Sequence, residues 1–135
     1  MTPSSPSQFS EEGILWRGWN DETLRLIQEK DFPVLIFIAD PHAFEWPLLK
    51  AVFKEIPANA RLRELLHEFC LALFLKADEL PDDLTMLGAG SHYHIAVLSP
   101  SGLTPMVTFN PASGSPPEVV NEIVRVLERL VEAWR

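Results

Sequence analysis

This sequence has almost no cysteine. Its 135 residues include one cysteine, Cys70, so the chain cannot form an internal disulfide, a redox-active CxxC pair or a cysteine-rich zinc site. Basic residues are also scarce, since 11 Lys and Arg stand against 19 Asp and Glu and give a net charge of −8. Binding to a phosphate backbone needs clustered Lys and Arg. We therefore expect no nucleic-acid partner.

Long apolar runs are absent as well. No stretch approaches the roughly 20 apolar residues of a membrane span, and no basic segment followed by an apolar run opens the chain. These absences predict a cytoplasmic protein with no membrane partner. A length of 135 residues, 47% of them apolar, suits one globular domain. Residues 1–12, rich in Ser and Pro, predict a disordered arm, which leaves a single domain over residues 13–135.

Two continuous apolar runs predict buried strands. Residues 34–39 lie between Pro33 and Asp40-Pro41, and residues 70–75 form the second run. Strands that are covered on both faces have this composition. The helix-length connection between the two runs predicts that the strands are parallel. Residues 14–16 predict a short edge strand ahead of them.

Capping residues and prolines mark the helices between these strands. Asn20 predicts the N-cap of a first helix, which must end before Pro33. Asp40-Pro41 predicts the N-cap and first residue of a second helix, which Pro47 should kink or delay. Residues 62–69 predict a further helical turn or two.

The last third of the chain predicts a β-hairpin and a long helix. Residues 94–98 and 105–109 flank Ser99-Pro100-Ser101-Gly102, a composition typical of a type I turn. Ser115 and Glu118 form an S-x-x-E capping box, after which apolar residues repeat at helical spacing. A long C-terminal amphipathic helix is therefore expected.

With a short helix near residues 84–87, the predicted order of elements is β-α-β-α-β-α-β-β-α. Parallel strands joined by helices, followed by an antiparallel hairpin and a final helix, define an α/β fold class. We expect a three-layer α/β/α domain with a central mixed sheet of about four to five strands. This is a thioredoxin-like topology.

Several segments add a family resemblance. Trp16-Arg17-Gly18-Trp19, then a helix and the strand after Phe32-Pro33, resembles the opening of thioredoxin-like domains related to spermatogenesis-associated protein 20 and to DsbH-type thioredoxins. Residues 62–69, followed by a strand ending at Lys76-Ala77-Asp78, are similar to the next segment of that family. Pro81-Asp82-Asp83 resembles the acidic segment after it. The resemblance implies a thioredoxin-like domain.

The sequence departs from the family where the family carries its chemistry. Its members have CxxC in the loop after the first central strand and a cis-proline just before the hairpin. Here the loop reads Ala39-Asp40-Pro41-His42-Ala43-Phe44-Glu45-Trp46, and the motif could fall on residues 39–42, 41–44 or 42–45, none of which contains cysteine. The cis-proline position falls on Tyr93. Thiol-disulfide exchange is therefore not expected, and Cys70 is predicted to be a small buried hydrophobe.

These two loops also supply the candidate site, because the resemblance implies that they are neighbours in space. The residues it would bring together are Asp40, Pro41, His42, Phe44, Glu45, Trp46, His92 and Tyr93. Aromatic residues such as Phe44, Trp46 and Tyr93 are typical interface anchors, so we predict a groove for an extended peptide or another protein. No catalytic residue and no cofactor is predicted. Acidic thioredoxin-like proteins of hydrogenase maturation, which also lack CxxC, are one analogue.

Two other hypotheses stay open. His42, His92 and His94 could form a ligand set for zinc or copper in a metal-binding protein or a non-thiol enzyme. The simpler interpretation is that they are ordinary loop histidines near strand ends. Exposed apolar residues such as Trp46 could also form the contact of a homodimer.

Overall fold

The computed structural model describes residues 8–11, 14–76, 94–99 and 105–133. Within these ranges six strands form one sheet, and four α-helices accompany it. The strands are β1 (Gln8–Glu11), β2 (Ile14–Arg17), β3 (Val34–Ala39), β4 (Leu71–Lys76), β5 (Ile95–Leu98) and β6 (Pro105–Thr108). The helices are α1 (Asp21–Lys30), α2 (Trp46–Glu55), α3 (Ala60–Glu68) and α4 (Pro116–Ala133), with a 3-10 turn (Ile56–Ala58) between α2 and α3. None of these helices is long and apolar enough to cross a membrane.

The sheet is mixed, with strand order β1-β2-β4-β3-β5-β6. Strands β2, β4 and β3 run parallel to one another, whereas β1, β5 and β6 are antiparallel to their neighbours. The two continuous apolar runs of the sequence form β3 and β4, which lie side by side in the middle. The α/β class, the antiparallel β5–β6 pair and the final helix are confirmed.

Apolar cores lie on both faces of the sheet. Leu35 and Phe37 of β3 belong to the larger core, which includes residues of α2, α3 and α4. Val34, Ile36 and Ile38 belong to a second core with residues of α1. Because alternate side chains of a strand point to opposite faces, a strand between two cores must be apolar throughout. The three-layer α/β/α arrangement is therefore confirmed.

Local signals place two helix ends correctly. The Asn20 side chain accepts a hydrogen bond of 2.9 Å from the Thr23 N–H at the start of α1, and α1 ends before Asp31, which has a left-handed backbone with φ of 56°. At α4, the Ser115 N–H donates to Glu118 Oε1 at 2.8 Å, and the Glu118 N–H donates to Ser115 Oγ at 3.4 Å. The predicted capping box is thus confirmed.

The predicted start of the second helix is wrong. Asp40 does not cap α2, since the helix begins at Trp46 and residues 41–45 form turns and a bend. Pro47 lies in the first turn of α2, where proline's missing N–H costs no hydrogen bond and its fixed φ favours helix initiation. Pro47 therefore delays the start of the helix, which is one of the two effects expected of it.

The N-terminal arm also differs from the prediction. Residues 8–11 form β1, which pairs with β2 over four residues from Gln8↔Arg17 to Glu11↔Ile14. The sheet consequently has six strands instead of four or five, and β2 is not at its edge. Strand pairing uses backbone N–H and C=O groups, so a segment with few apolar side chains can still join a sheet beside a buried strand.

Several predicted features lie outside the described residues. They are the short helix near residues 84–87, the site residues His92 and Tyr93, and the turn residues 100–102 of the hairpin.

Candidate binding site

Residues 40–45 join β3 to α2 and include five of the predicted site residues. β3 ends at Ala39, so the loop begins at the carboxyl end of the parallel strands, the edge at which α/β proteins bind their ligands. The Ala43 N–H donates to the carbonyl oxygen of Asp40 at 3.0 Å, and the Trp46 N–H donates to the carbonyl oxygen of Ala43 at 3.1 Å. Two successive backbone turns therefore hold the loop before α2 begins.

The Asp40 carboxylate connects this loop to the start of β5. Its Oδ2 lies 3.0 Å from Nε2 of His94, and its Oδ1 accepts a hydrogen bond of 3.2 Å from the His42 N–H. The His94 side chain is 3% exposed and that of Asp40 is 17% exposed. The His94 carbonyl oxygen in turn accepts a hydrogen bond of 2.8 Å from the Ile38 N–H. One carboxylate thus fixes both the loop and the residue that precedes β5.

The other ring nitrogen of His94, Nδ1, is buried and has no hydrogen-bond partner among the described residues. If Nε2–H donates to Asp40, Nδ1 is an acceptor without a donor. The predicted histidine ligand set gains no support from this arrangement. His42 meets Asp40 through its backbone N–H, and the described part of the chain contains no group of three or more His, Cys, Asp or Glu side chains that could hold a metal ion.

The loop exposes a large apolar side chain on its outer surface. Phe44 has a relative exposure of 100%, and Pro41 and His42 beside it are also exposed. Glu45 occupies the N-cap position of α2, but its side chain does not cap the helix. Trp46 is partly buried and packs against the larger core. The loop therefore presents one aromatic side chain to solvent from a backbone that is held in place.

Cys70 takes no part in this site. It is 1% exposed and belongs to the larger core, where burial raises the pKa of its thiol to about 12. Thiol reactivity requires the thiolate, which is a minor species near neutral pH at such a pKa. The prediction that Cys70 is a small buried hydrophobe is confirmed.

A pocket beside the loop was not predicted from the sequence. It has a volume of about 280 Å³ and is lined by Phe37, Trp46, Lys50, Phe53, Lys54 and Phe74. The three phenylalanines come from β3, α2 and β4, so no local pattern brings them together. The spacing of Lys50 and Lys54, four residues apart on one helix face, is the one signal that the sequence contained. Trp46 belongs to both the loop and the pocket.

In comparisons with known proteins, the chain matches no family model and no curated protein. The fold is a three-layer α/β/α domain, and an exposed aromatic loop lies at the carboxyl ends of its parallel strands.

Proposed function

We propose that this chain is a thioredoxin-like domain without thiol chemistry, which acts in the cytoplasm as a protein- or peptide-binding, chaperone or assembly module. The observation that carries the proposal is Phe44, a fully exposed aromatic side chain on a loop held by backbone hydrogen bonds and by Asp40. Aromatic side chains are enriched in the buried centres of protein interfaces, where they act as anchors. A loop that is already ordered loses little further entropy when a partner covers it.

The architecture supports the thioredoxin-like class. The features that support it are parallel strands joined by helices, then an antiparallel pair and a final helix. The single cysteine supports the non-redox part of the proposal, because it is buried in the core and the loop at the carboxyl end of β3 contains no thiol.

The expected contribution of Phe44 to binding follows from its exposed area. Full burial of a phenylalanine side chain contributes about 1.5–3 kcal/mol, and about 1.4 kcal/mol corresponds to a tenfold change in affinity. Phe44→Ala is therefore expected to weaken partner binding by about 10- to 100-fold. Because the ring makes no buried contact, the free energy of unfolding is expected to stay within about 0.5 kcal/mol of wild type.

The test is site-specific cross-linking followed by a binding measurement. A photo-reactive phenylalanine analogue at position 44 is expected to capture a discrete partner in the cells that make the protein. The same analogue at Glu29, which is exposed on α1, is the matched control and is expected not to capture it. Wild type, Phe44→Ala and Glu29→Ala are then titrated with the purified partner. Capture of a second copy of this chain would identify a homodimer as the partner.

Equal affinities of wild type and Phe44→Ala for the captured partner would contradict the proposal. Equal capture from positions 44 and 29 would contradict it as well, since that result indicates non-specific contact with the surface.

A further inference from the structure

The pocket lined by Phe37, Trp46, Lys50, Phe53, Lys54 and Phe74, called here the lysine-rimmed pocket, has a defined chemical character. Its interior is aromatic, and the two charged residues that line it within the described part of the chain, Lys50 and Lys54, are both cations. We propose that this pocket binds one bulky apolar side chain of an acidic segment of a partner protein. The inference deepens the proposed function and rests on it, since it names the chemistry of the partner.

The aromatic walls are already assembled. The rings of Phe37 and Phe74 are nearly parallel, with centroids 5.9 Å apart and an interplanar angle of 10°. Phe53 packs against both, at centroid distances of 4.9 Å from Phe37 and 5.3 Å from Phe74. The ring of the buried Trp16 packs against Phe53, with ring centroids 5.2 Å apart. A ligand would therefore enter without ordering these rings, which lowers the entropic cost of binding.

The pocket stays open because β4 extends beyond β2. The ladder between these strands ends at Arg17↔Leu73, so Phe74 lies one residue past the last pair. Phe74 is the half-buried residue in β4, whereas Leu73 and Leu75 beside it are buried. Among the described residues, the shorter β2 thus leaves an aromatic surface accessible beside the part of β4 that extends past it.

The charged residues around the pocket favour an acidic partner. Lys50 and Lys54 are exposed, and neither forms an ion pair with any residue that the structure describes. Lys76 follows Phe74 by two residues in β4, so strand alternation places it on the same face of the sheet. No acidic residue that the structure describes lines the pocket. These cations favour carboxylates next to the group that fills the pocket.

The net charge of −8 does not exclude an acidic partner. Charges separated by more than about 8 Å are largely screened at physiological ionic strength. Among the described residues, the charged side chains that line the pocket are Lys50 and Lys54, so they are the charges nearest to the group that fills it.

The volume of the pocket favours a small group over a drug-sized ligand. Pockets for drug-sized molecules usually enclose about 300–1,000 Å³, and this one encloses about 280 Å³. The pocket accommodates one aromatic or branched apolar side chain, and the flanking carboxylates remain outside, near Lys50 and Lys54.

Three capped peptides of five residues test the inference against the full-length protein by NMR chemical-shift titration. The first is Asp-Asp-Phe-Asp-Asp, the second replaces its Phe by Ala, and the third replaces each Asp by Asn. Only the first is expected to bind well, with shifts at Trp46, Lys50 and Phe74. Loss of the Phe ring or of the carboxylates is expected to weaken binding at least about tenfold.

Charge-reversal variants supply the controls on the protein side. The double variant Lys50→Glu/Lys54→Glu is expected to lose at least about tenfold in affinity for the acidic Phe peptide. The control variant is Lys30→Glu. Lys30 is exposed on α1, a helix that packs against the second core, so this variant is expected to bind the peptide as wild type does. These side chains are exposed, so the variants are expected to fold, and thermal unfolding checks this.

Three outcomes would overturn the inference. They are equal binding of the Phe and Ala peptides, undiminished binding by the double charge-reversal variant, and absence of shifts at the pocket. Phenylacetate is titrated in the same way. If it binds as tightly as the peptide, the ligand of the pocket is a small aromatic acid and not a partner protein.

Phe44→Ala separates this inference from the proposed function. Phe44 does not line the pocket, so this variant is expected to bind the acidic Phe peptide normally. If the peptides fail but Phe44→Ala still weakens partner binding, only the pocket inference is wrong. If the peptides bind but Phe44→Ala has no effect on partner binding, the role of the loop is wrong.

Discussion

The contact between Asp40 and His94 is expected to contribute about 2–3 kcal/mol to the free energy of unfolding. A hydrogen bond to a charged group contributes about 1.5–3 kcal/mol, and a buried polar atom left without its partner costs about 1–3 kcal/mol. Asp40→Ala leaves Nε2 unpaired on a side chain that is 3% exposed, beside an Nδ1 that already has no partner among the described residues. The second contact of Asp40, to the exposed His42 N–H, adds little.

His94→Leu is expected to be milder, at about 1 kcal/mol. This variant removes the buried ring nitrogens together with their need for partners, and the Asp40 carboxylate, 17% exposed, can reach water. If the two side chains stabilise the fold through their contact, the changes in unfolding free energy caused by the two substitutions do not add in the double variant. We therefore expect a coupling energy of about 2 kcal/mol in a double-mutant cycle.

Urea unfolding followed by tryptophan fluorescence measures all four corners of this cycle. Glu29→Ala, on the exposed face of α1, is the matched control for removal of an acidic side chain and is expected to change stability by less than about 0.5 kcal/mol. If Asp40→Ala and His94→Leu add to within about 0.5 kcal/mol, the two side chains do not interact and the account of the loop is refuted.

Three further predictions follow from other parts of the molecule. Deleting residues 1–11 removes β1, whose four cross-strand pairs contribute roughly 0.2–1 kcal/mol each, so urea unfolding should show a loss of about 2 kcal/mol; an unchanged midpoint would mean that β1 contributes nothing. Burial raises the pKa of the Cys70 thiol to about 12, so the native protein should react with a disulfide reagent at about pH 8 far more slowly than the protein in urea; equal rates would contradict this. Hydrogen bonds from Ser115, first from its backbone N–H, hold the pKa of Glu118 below its usual value. The pKa of Glu118 is therefore lower in the folded protein than in the unfolded chain, where it is about 4.3. The ionised carboxylate stabilises the fold above that pH, and this stabilisation is lost as pH falls through the folded pKa. Glu118→Gln should therefore melt below wild type at about pH 7, and the difference should shrink toward about pH 3; a constant difference would exclude this linkage.

Most of the fold was predictable because its signals are local. The runs that form β3 and β4 are apolar throughout, and the structure places each of them between two cores. The caps at Asn20 and Ser115 join groups three residues apart, so a short window of sequence contains both partners. β1 was missed because its pairing depends on β2 and not on its own composition.

The candidate site was predictable only in part. The loop with Phe44 was identified from the resemblance, but the role of His94 was not, because its partner Asp40 lies 54 residues away. The sequence makes His94 a candidate metal ligand together with His42 and His92. In the structure its Nε2 contacts a carboxylate instead, which holds the loop beside β5.

The sequence by itself therefore determined the layers, the central strands, the helix caps and the absence of an active thiol, since periodicity, capping and composition are properties of neighbouring residues. The tertiary structure alone decided how Asp40 meets His94, where α2 begins, and that Phe37, Phe53 and Phe74 meet Lys50 and Lys54 in one pocket. These features depend on strand register and on how far β4 extends past β2. Such distances between separate elements are set by the packing of the whole core, and no short segment of the chain contains them.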